Sequence, residues 1–347
     1  MNQKDQIGIF GLNYSNNLES FYIKALRDLN YKNIRFLGNN IYFYIFCVFK
    51  KFKSHHLFKI LEYFQYIKFK KFLKNNNIKV MIIFKGIELS EDIYMLLKKK
   101  KIMLINIYTD DPFNFNSEAT SSKNIIKNMK YYDVFCIFSK KIKKKLSKKF
   151  KKNIFFYLPF AYSDQKHLKS NNSKIIKGKI SFVGSYDKER FDLLNKLKEK
   201  IDIIGNAWPV FIKHKTHQFI TGKKFSRNIS ESEISLNILK KQNFFSHNMR
   251  TFEIPSMGGL MLTTRTSEQN NFFPENKASF MFGSINELNQ KITYILKNPK
   301  IALKVRKKGY VLSRKHNYKE RLKSLINFVK INEKFIHSRQ FANKKFN

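Results

Sequence analysis

A chain of 347 residues with 43% hydrophobic and 16% aromatic content has material for two packed domains, which excludes global disorder. Its 68 Lys and Arg against 25 Asp and Glu give a formal charge of +43, so an acidic, nucleic-acid-repelling surface is excluded. Two cysteines in apolar runs, Cys47 and Cys136, exclude a disulfide scaffold or a cysteine-rich metal cage.

The charge has two readings. One is a polyanionic partner: nucleic acid, an anionic membrane or a phosphorylated substrate. The other is the Lys, Asn, Ile, Phe and Tyr bias of an A+T-rich genome, which matches the scarcity of Gly (12), Pro (6) and Trp (1). The start "MNQKDQIGIFGLN" carries an acid and no long apolar core, so it does not read as a signal peptide. The longest apolar run, Ile41 to Phe49, falls short of the about 20 residues that span a bilayer. The expectation is a soluble cytoplasmic protein, with a peripheral contact at the inner face of the membrane.

In chain order, Ile7–Leu12 reads as a buried strand. A helix follows from about Asn17, with Asn16 and Glu19 spaced as a capping box. Leu57, Ile60, Leu61, Phe64, Ile67 and Leu73 recur at helical spacing. Lys79–Phe84 is the next strand, and Ser90 with Glu91 and Asp92 starts another helix. Ile102–Tyr108, Asp133–Phe138 and Ile154–Leu158 complete the strands of the first half. Strands apolar throughout that alternate with helices predict a parallel sheet covered on both faces.

The polar, aperiodic stretch Ala161 to Gly178 reads as a linker. The pattern then restarts with strands at Lys179–Ser185, Ile201–Gly205, Ile234–Leu239, Leu260–Thr264 and Ser279–Phe282. Ile285 to about Phe335 is almost wholly helical. The expected organisation is an N-terminal Rossmann-like domain over 1–164 and a linker over 165–178. A second Rossmann-like domain covers 179–316, a C-terminal helix over 317–336 packs back on the first, and a frayed tail spans 337–347. Ligands of such sheets sit at the carboxyl ends of the strands, here in a cleft between two domains.

Several motifs carry chemistry. Asp110 and Asp111 follow a strand directly and read either as acids facing a ligand or as a capped turn opened by Pro112. Gly184 ends a strand ahead of Ser185, Asp187 and Arg190, where a helix N-terminus and a guanidinium suit a phosphate; an ordinary strand–helix turn is the alternative. Gly205, Asn206 and the single tryptophan, Trp208, follow another strand, with Trp208 against a base or sugar or else in the core. Lys140–Lys152 places Ile142, Leu146 and Phe150 along one face of a cationic helix, a pattern that fits an anionic lipid surface or a core-facing stripe. Neither G-x-G-x-x-G nor G-x-x-x-x-G-K-[ST] occurs, which speaks against a nicotinamide enzyme or a P-loop NTPase.

The most informative stretch is "SHNMRTFEIPSMGGLMLTT", Ser246 to Thr264. Ser246 or Asn248 can cap a short helix that sets Arg250 and Glu253 on one face. Pro255 keeps that helix short, and Gly258-Gly259 lets the chain turn into a buried strand. A surface ion pair is the plain alternative.

These residues, with "YTDDP", "YLPFAYSD", "SFVGSYDKER", "IIGNAW" and "SLNIL" in the same order, resemble the CgeB-like (spore maturation protein B type) glycosyltransferases. The resemblance implies a GT-B fold, two Rossmann-like doubly wound α/β domains, and transfer of a sugar from a nucleotide-activated donor to a glycan or other acceptor. Glu253 would then accept hydrogen bonds from the ribose, Arg250 would neutralise the pyrophosphate, and Gly258 and Gly259 would let the backbone approach the donor. Asp110 and Asp111 would face the acceptor, and His247 would serve as base or phosphate ligand or else as a cap. Many retaining relatives carry a further glutamate where this chain has Phe245, so a retaining outcome does not carry over. No cofactor, no metal and no nucleic-acid partner are expected. The alternatives are a nucleotide-sugar epimerase of the same fold, or a non-enzymatic basic protein that binds membranes or nucleic acid.

Overall fold

A computed structural model of the chain describes residues 1–14, 17–52, 55–114, 123–170, 173–243 and 245–342. It divides into two compact units: Met1–Pro159 with Arg321–Asn347, and Phe160–Glu320.

The first unit runs β1 (Gln6–Gly11), α1 (Leu18–Asp28), β2 (Ile34–Gly38), α2 (Asn40–Phe52), α3 (His55–Lys74), β3 (Ile78–Phe84), α4 (Glu91–Lys99), β4 (Met103–Tyr108), α5 (Lys123–Asn128), β5 (Val134–Ile137), α6 (Lys140–Lys149) and β6 (Phe155–Tyr157). Its sheet is parallel throughout, in the order β2-β1-β3-β4-β5-β6. The four central strands are apolar on both faces because helices cover both. Ile9, Ile82, Ile105 and Phe135 are fully buried, each contributing about 1.5–3 kcal/mol of transfer free energy.

The second unit runs β7 (Ile176–Val183), α7 (Lys188–Asn195), β8 (Asp202–Ile204), β9 (Lys215–His217), α8 (Gly222–Glu231), β10 (Ser232–Asn237), α9 (Arg250–Ser256), β11 (Met261–Thr264), α10 (Ser267–Phe272), β12 (Phe280–Phe282), α11 (Ile285–Lys297) and α12 (Pro299–Ser313). Its order is β12-β11-β10-β7-β8-β9, again parallel. Two helices follow, α13 (Tyr318–Ile331) and α14 (Glu333–Ala342). The first three residues of α13 lie in the second unit; from Arg321 on the chain belongs to the first.

In both sheets the strand order reverses once. The reversal lies between β1 and β3 in the first sheet and between β7 and β10 in the second. Neighbouring loops diverge at such a point and leave a crevice beyond the carboxyl ends of the strands, where α/β sheets bind ligands.

The structure departs from expectation in several places. The edge strands β2 and β9 and the helix α2 are additional; β9 has only three residues, and the apolar run at Ile41–Phe49 is helical. Asn16 lies outside the described residues, and Asn17 caps α1 by accepting from the Ser20 N–H. On α6, Ile142 and Leu146 are buried in the core, so of the two readings of that stripe the core-facing one holds and a lipid contact there is not supported. The segment expected to fray is helical as far as Ala342. The stretch read as linker is packed at its start: Ala161, Tyr162, Ser163 and His167 are buried, and Tyr162 bridges to Asn317.

One buried cation ties the second unit together. The Arg306 guanidinium, on α12, donates to the carbonyls of Ser230, Ser232 and Gly258. These oxygens sit at the end of α8, the start of β10 and the exit of α9, where helical partners run out.

Candidate functional site

The second unit's crevice is built from two tight turns. Gly184 and Ser185 follow β7, and Gly205 and Asn206 follow β8. The Gly184 N–H donates to the Ile204 carbonyl at 2.9 Å, and the Tyr186 N–H to Asn206 at 3.0 Å. A Cβ on Gly205 would stand 2.1 Å from the Gly184 carbonyl oxygen, so only glycine fits. Trp208 donates its indole N–H to the same oxygen at 2.8 Å and meets Phe182 and Tyr186 edge-on. It therefore braces the β7 turn from behind, the packing role anticipated as the alternative to base or sugar contact. Gly205→Ala is expected to force the two turns apart, cost about 2 kcal/mol or more and shift the emission of this single tryptophan. Unchanged emission and unfolding midpoint would refute the close approach.

Arg190 is tied to backbone carbonyls of its own unit. It is buried and donates from Nε and Nη2 to the Ile238 carbonyl at 3.0 and 2.7 Å, and burial lowers its pKa to about 10. The guanidinium locks the loop after β10 to α7. The start of α7 is capped by the Asp187 side chain, so that helix terminus already holds its own carboxylate. Ser185 and Asn206 are the exposed members of the two turns.

Beside them stands α9. Asn248 accepts from the Thr251 N–H at 3.1 Å and donates to Asn237, at the end of β10, at 2.8 Å. Asn248 thus pins the helix start to the reversal of the sheet. Arg250 reaches β7: its Nε donates to the Val183 carbonyl at 3.3 Å, and its guanidinium lies 4.4 Å over the Phe225 ring. Nη1 pairs with Glu253 Oε2. Glu253 is 1% exposed, and its other oxygen lies 3.5 Å from His167 Nε2. The His167 Nδ1 accepts the Ser163 N–H at 3.0 Å, which puts the ring proton on Nε2 and aims it at Glu253. Desolvation lowers the His167 pKa, so the ring is neutral near pH 7. Glu253 is thus enclosed between Arg250 and His167, and the partly exposed member of the group is Arg250.

His247 is fully buried. Its Nε2 accepts the Phe160 N–H at 3.1 Å, and its Nδ1 lies 3.1 Å from Glu268 and 3.0 Å from Ser246 Oγ. Both ring nitrogens are occupied, which makes it a structural tie rather than a base open to substrate. His167 and His247 together latch residues 160–163 onto α9 and its flanks. Gly258 and Gly259 likewise serve the helix exit. Gly258 has φ +72, its N–H bonds back to Pro255 and that of Gly259 to Ile254, a Schellman ending. Extra atoms on them would meet Lys169, Ile229 and Ile254, all residues of the same unit. Phe245 is exposed.

The first unit has its own pocket at its reversal, about 110 Å³, lined by Gly11, Glu19, Phe43, Lys85, Glu88 and Thr109 among others. That is below the roughly 300–1,000 Å³ of pockets that engulf a ligand, so it suits one end of a molecule. Asp110 does not stand free there: its carboxylate meets Lys85 Nζ at 2.8 Å. Asp111 accepts the Phe113 N–H at 2.9 Å, the capped-turn alternative. The distinctive acid is Glu88, which composition and spacing did not single out. It is buried, takes a hydrogen bond from Asn39 on one oxygen, and among the described residues has no hydrogen-bond partner on Oε2. Burial raises its pKa to about 7 and also raises that of Glu19. The sign follows directly: the folded state holds a proton that the unfolded chain releases at lower pH, so stability falls as pH rises from about 4.5 to 7. Compared with Glu88→Gln, the wild type is expected to lose about 3 kcal/mol across that window, measured by urea unfolding. Parallel pH profiles of the two proteins would show that Glu88 titrates normally.

Among the described residues no group of three or more His, Cys, Asp or Glu is placed to hold a metal.

Two parallel, doubly wound six-stranded sheets, each with a crevice at its reversal, define the GT-B class, and solved structures agree. The chain is similar to sucrose-phosphate synthase from Thermosynechococcus elongatus at 8% identity, covering 94% of this chain and 99% of that one with a TM-score of 0.68. It is similar to a DNA-modifying β-glucosyltransferase at 14% identity, covering 98% of each chain with a TM-score of 0.57. It is also similar to the pneumococcal O-GlcNAc transferase GtfA, solved with UDP and GlcNAc, at 12% identity over 77% of this chain, with a TM-score of 0.54; the match spans 60% of that enzyme's length. Within the GT-B class, residues 189–327 match the family described as glycosyl transferase-like. No curated protein matches the chain in sequence.

Proposed function

We propose that the chain is a glycosyltransferase of the CgeB-like type that moves a sugar from a nucleotide-activated donor to a glycan or other hydroxylated acceptor in the cytoplasm. The observation that carries this reading is Arg250, held by Glu253 at the carboxyl end of β7, at the reversal of a sheet that lies largely within the matched family region. A guanidinium there supplies the charge that a departing nucleoside diphosphate needs, and no metal is required for that step. Ser185 and Asn206 present exposed polar groups on the adjoining turns. Glu253 fixes Arg250 from behind; to take the ribose role implied by the resemblance, its Oε2 would exchange Arg250 for a hydroxyl. In the first unit Glu88, rather than Asp110 or Asp111, is the group suited to take the acceptor's proton. UDP in the pneumococcal enzyme makes UDP the first donor nucleotide to test.

The test is a thermal-shift and calorimetric screen of UDP, GDP, ADP, CMP and TDP, with Trp208 emission as a second readout of the β7 turn. One nucleotide is expected to bind and to perturb Trp208. Binding by none of them would overturn the reading. An epimerase is the second reading, supported by fold similarity to a putative UDP-N-acetylglucosamine 2-epimerase from Listeria monocytogenes, 10% identical with a TM-score of 0.58. Conversion of the donor sugar with no acceptor present would favour it.

A further inference from the structure

We propose that the α2–α3 hairpin docks this chain on an anionic lipid surface. Helix α3 has two faces. Gln65, Phe69 and Leu73 are buried against the unit, whereas Leu57, Ile60, Tyr63, Phe64 and Ile67 are 42–63% exposed. Residues 57, 60, 64 and 67 follow helical spacing, so the exposed side chains form one continuous apolar row. On α2, Ile41 and Tyr44 are more than 70% exposed. An exposed row of this length is what a water-facing helix avoids.

Charge names the occupant. Residues 40–74 hold eight lysines and one acid, Glu62. Lys59, Lys70, Lys71 and Lys74 are exposed on α3, next to the apolar row or continuing it. Apolar and tyrosyl side chains flanked by lysines match the acyl boundary and anionic headgroups of a leaflet. A second copy fits less well, because pairing this face with itself brings lysines against lysines on chains that each carry +43. A nucleic acid fits less well, because aliphatic Leu57, Ile60 and Ile67 offer bases neither hydrogen bonds nor stacking. No helix among the described residues is long and apolar enough to cross a membrane, so the contact is peripheral. Helix α6 differs: its apolar side chains Ile142 and Leu146 are buried, and its exposed face is polar.

The experiment is co-sedimentation of the full chain with vesicles of mixed phosphatidylglycerol and phosphatidylcholine, against pure phosphatidylcholine. It reads lipid binding alone and does not depend on the proposed transferase activity. Binding is expected to the anionic vesicles only and to weaken with salt. The triple variant Ile60→Ser, Phe64→Ser and Ile67→Ser is expected to bind at least about tenfold more weakly with an unchanged melting midpoint, since the replaced side chains are exposed. Lys70→Glu with Lys71→Glu and Lys74→Glu is expected to lose a similar factor. Three results would overturn the proposal: no sedimentation with anionic vesicles, wild-type binding by the serine variant, or a concentration-dependent dimer that the serine variant abolishes.

Discussion

Arg250→Ala is expected to weaken nucleoside diphosphate binding by about 10- to 100-fold, or roughly 1.4–2.8 kcal/mol, the worth of a charge-assisted contact to phosphate. The substitution also removes the partner of a carboxylate that is 1% exposed, so the protein is expected to lose some stability. The double variant Arg250→Ala with Glu253→Gln separates the two effects. It removes the orphaned charge, so stability is expected to recover while affinity stays low. Glu253→Gln alone distinguishes the two roles of the carboxylate. A residue that only positions Arg250 will, when changed, weaken inorganic pyrophosphate and UDP by the same factor. A residue that accepts ribose hydroxyls will weaken UDP more. Calorimetry that finds wild-type affinity for every nucleoside diphosphate in Arg250→Ala would remove this helix from the donor site.

Arg306→Met is expected to be the most destabilising single change, at about 3–6 kcal/mol. Three carbonyls lose their donor together, and each orphaned acceptor costs about 1–3 kcal/mol. The guanidinium remains charged at neutral pH because burial lowers its pKa only to about 10. Arg306→Lys is expected to recover a minor part, since one ammonium cannot reproduce the fork that spans three oxygens. Unfolding of the second unit, followed by Trp208 emission, would report a midpoint lower by roughly 10 °C. A loss below about 1 kcal/mol would mean that water or a relaxed backbone replaces the guanidinium.

Much of the fold is legible in the sequence. Central strands such as Lys79–Phe84 and Ile102–Tyr108 are apolar on both faces, and that pattern belongs to parallel sheets under helices. The edges were not legible. The β9 segment, Lys215–His217, has no apolar signature because it is a largely exposed edge strand held by pairing with β8. The tail helix α14 gave little sign of itself, because its order rests on packing against the first unit through residues such as Ile336.

At the site the division is sharper. Local spacing is enough to set Arg250 and Glu253 on one face of a short capped helix and to require a glycine exit at Gly258. It cannot say which of several plausible polar residues faces a ligand. Arg190 and His247 look like ligand groups in sequence, and the structure employs both within the protein: on a carbonyl and on a backbone N–H. Glu88, His167 and Arg306 carry no signal in sequence because their importance comes from burial and from partners distant along the chain. The sequence by itself determined the parallel α/β architecture and the Arg250–Glu253 helix, since both follow from periodicities of a few residues. Only the tertiary structure decided which charges are enclosed and which can meet a ligand, because desolvation depends on the elements that the fold packs around each group.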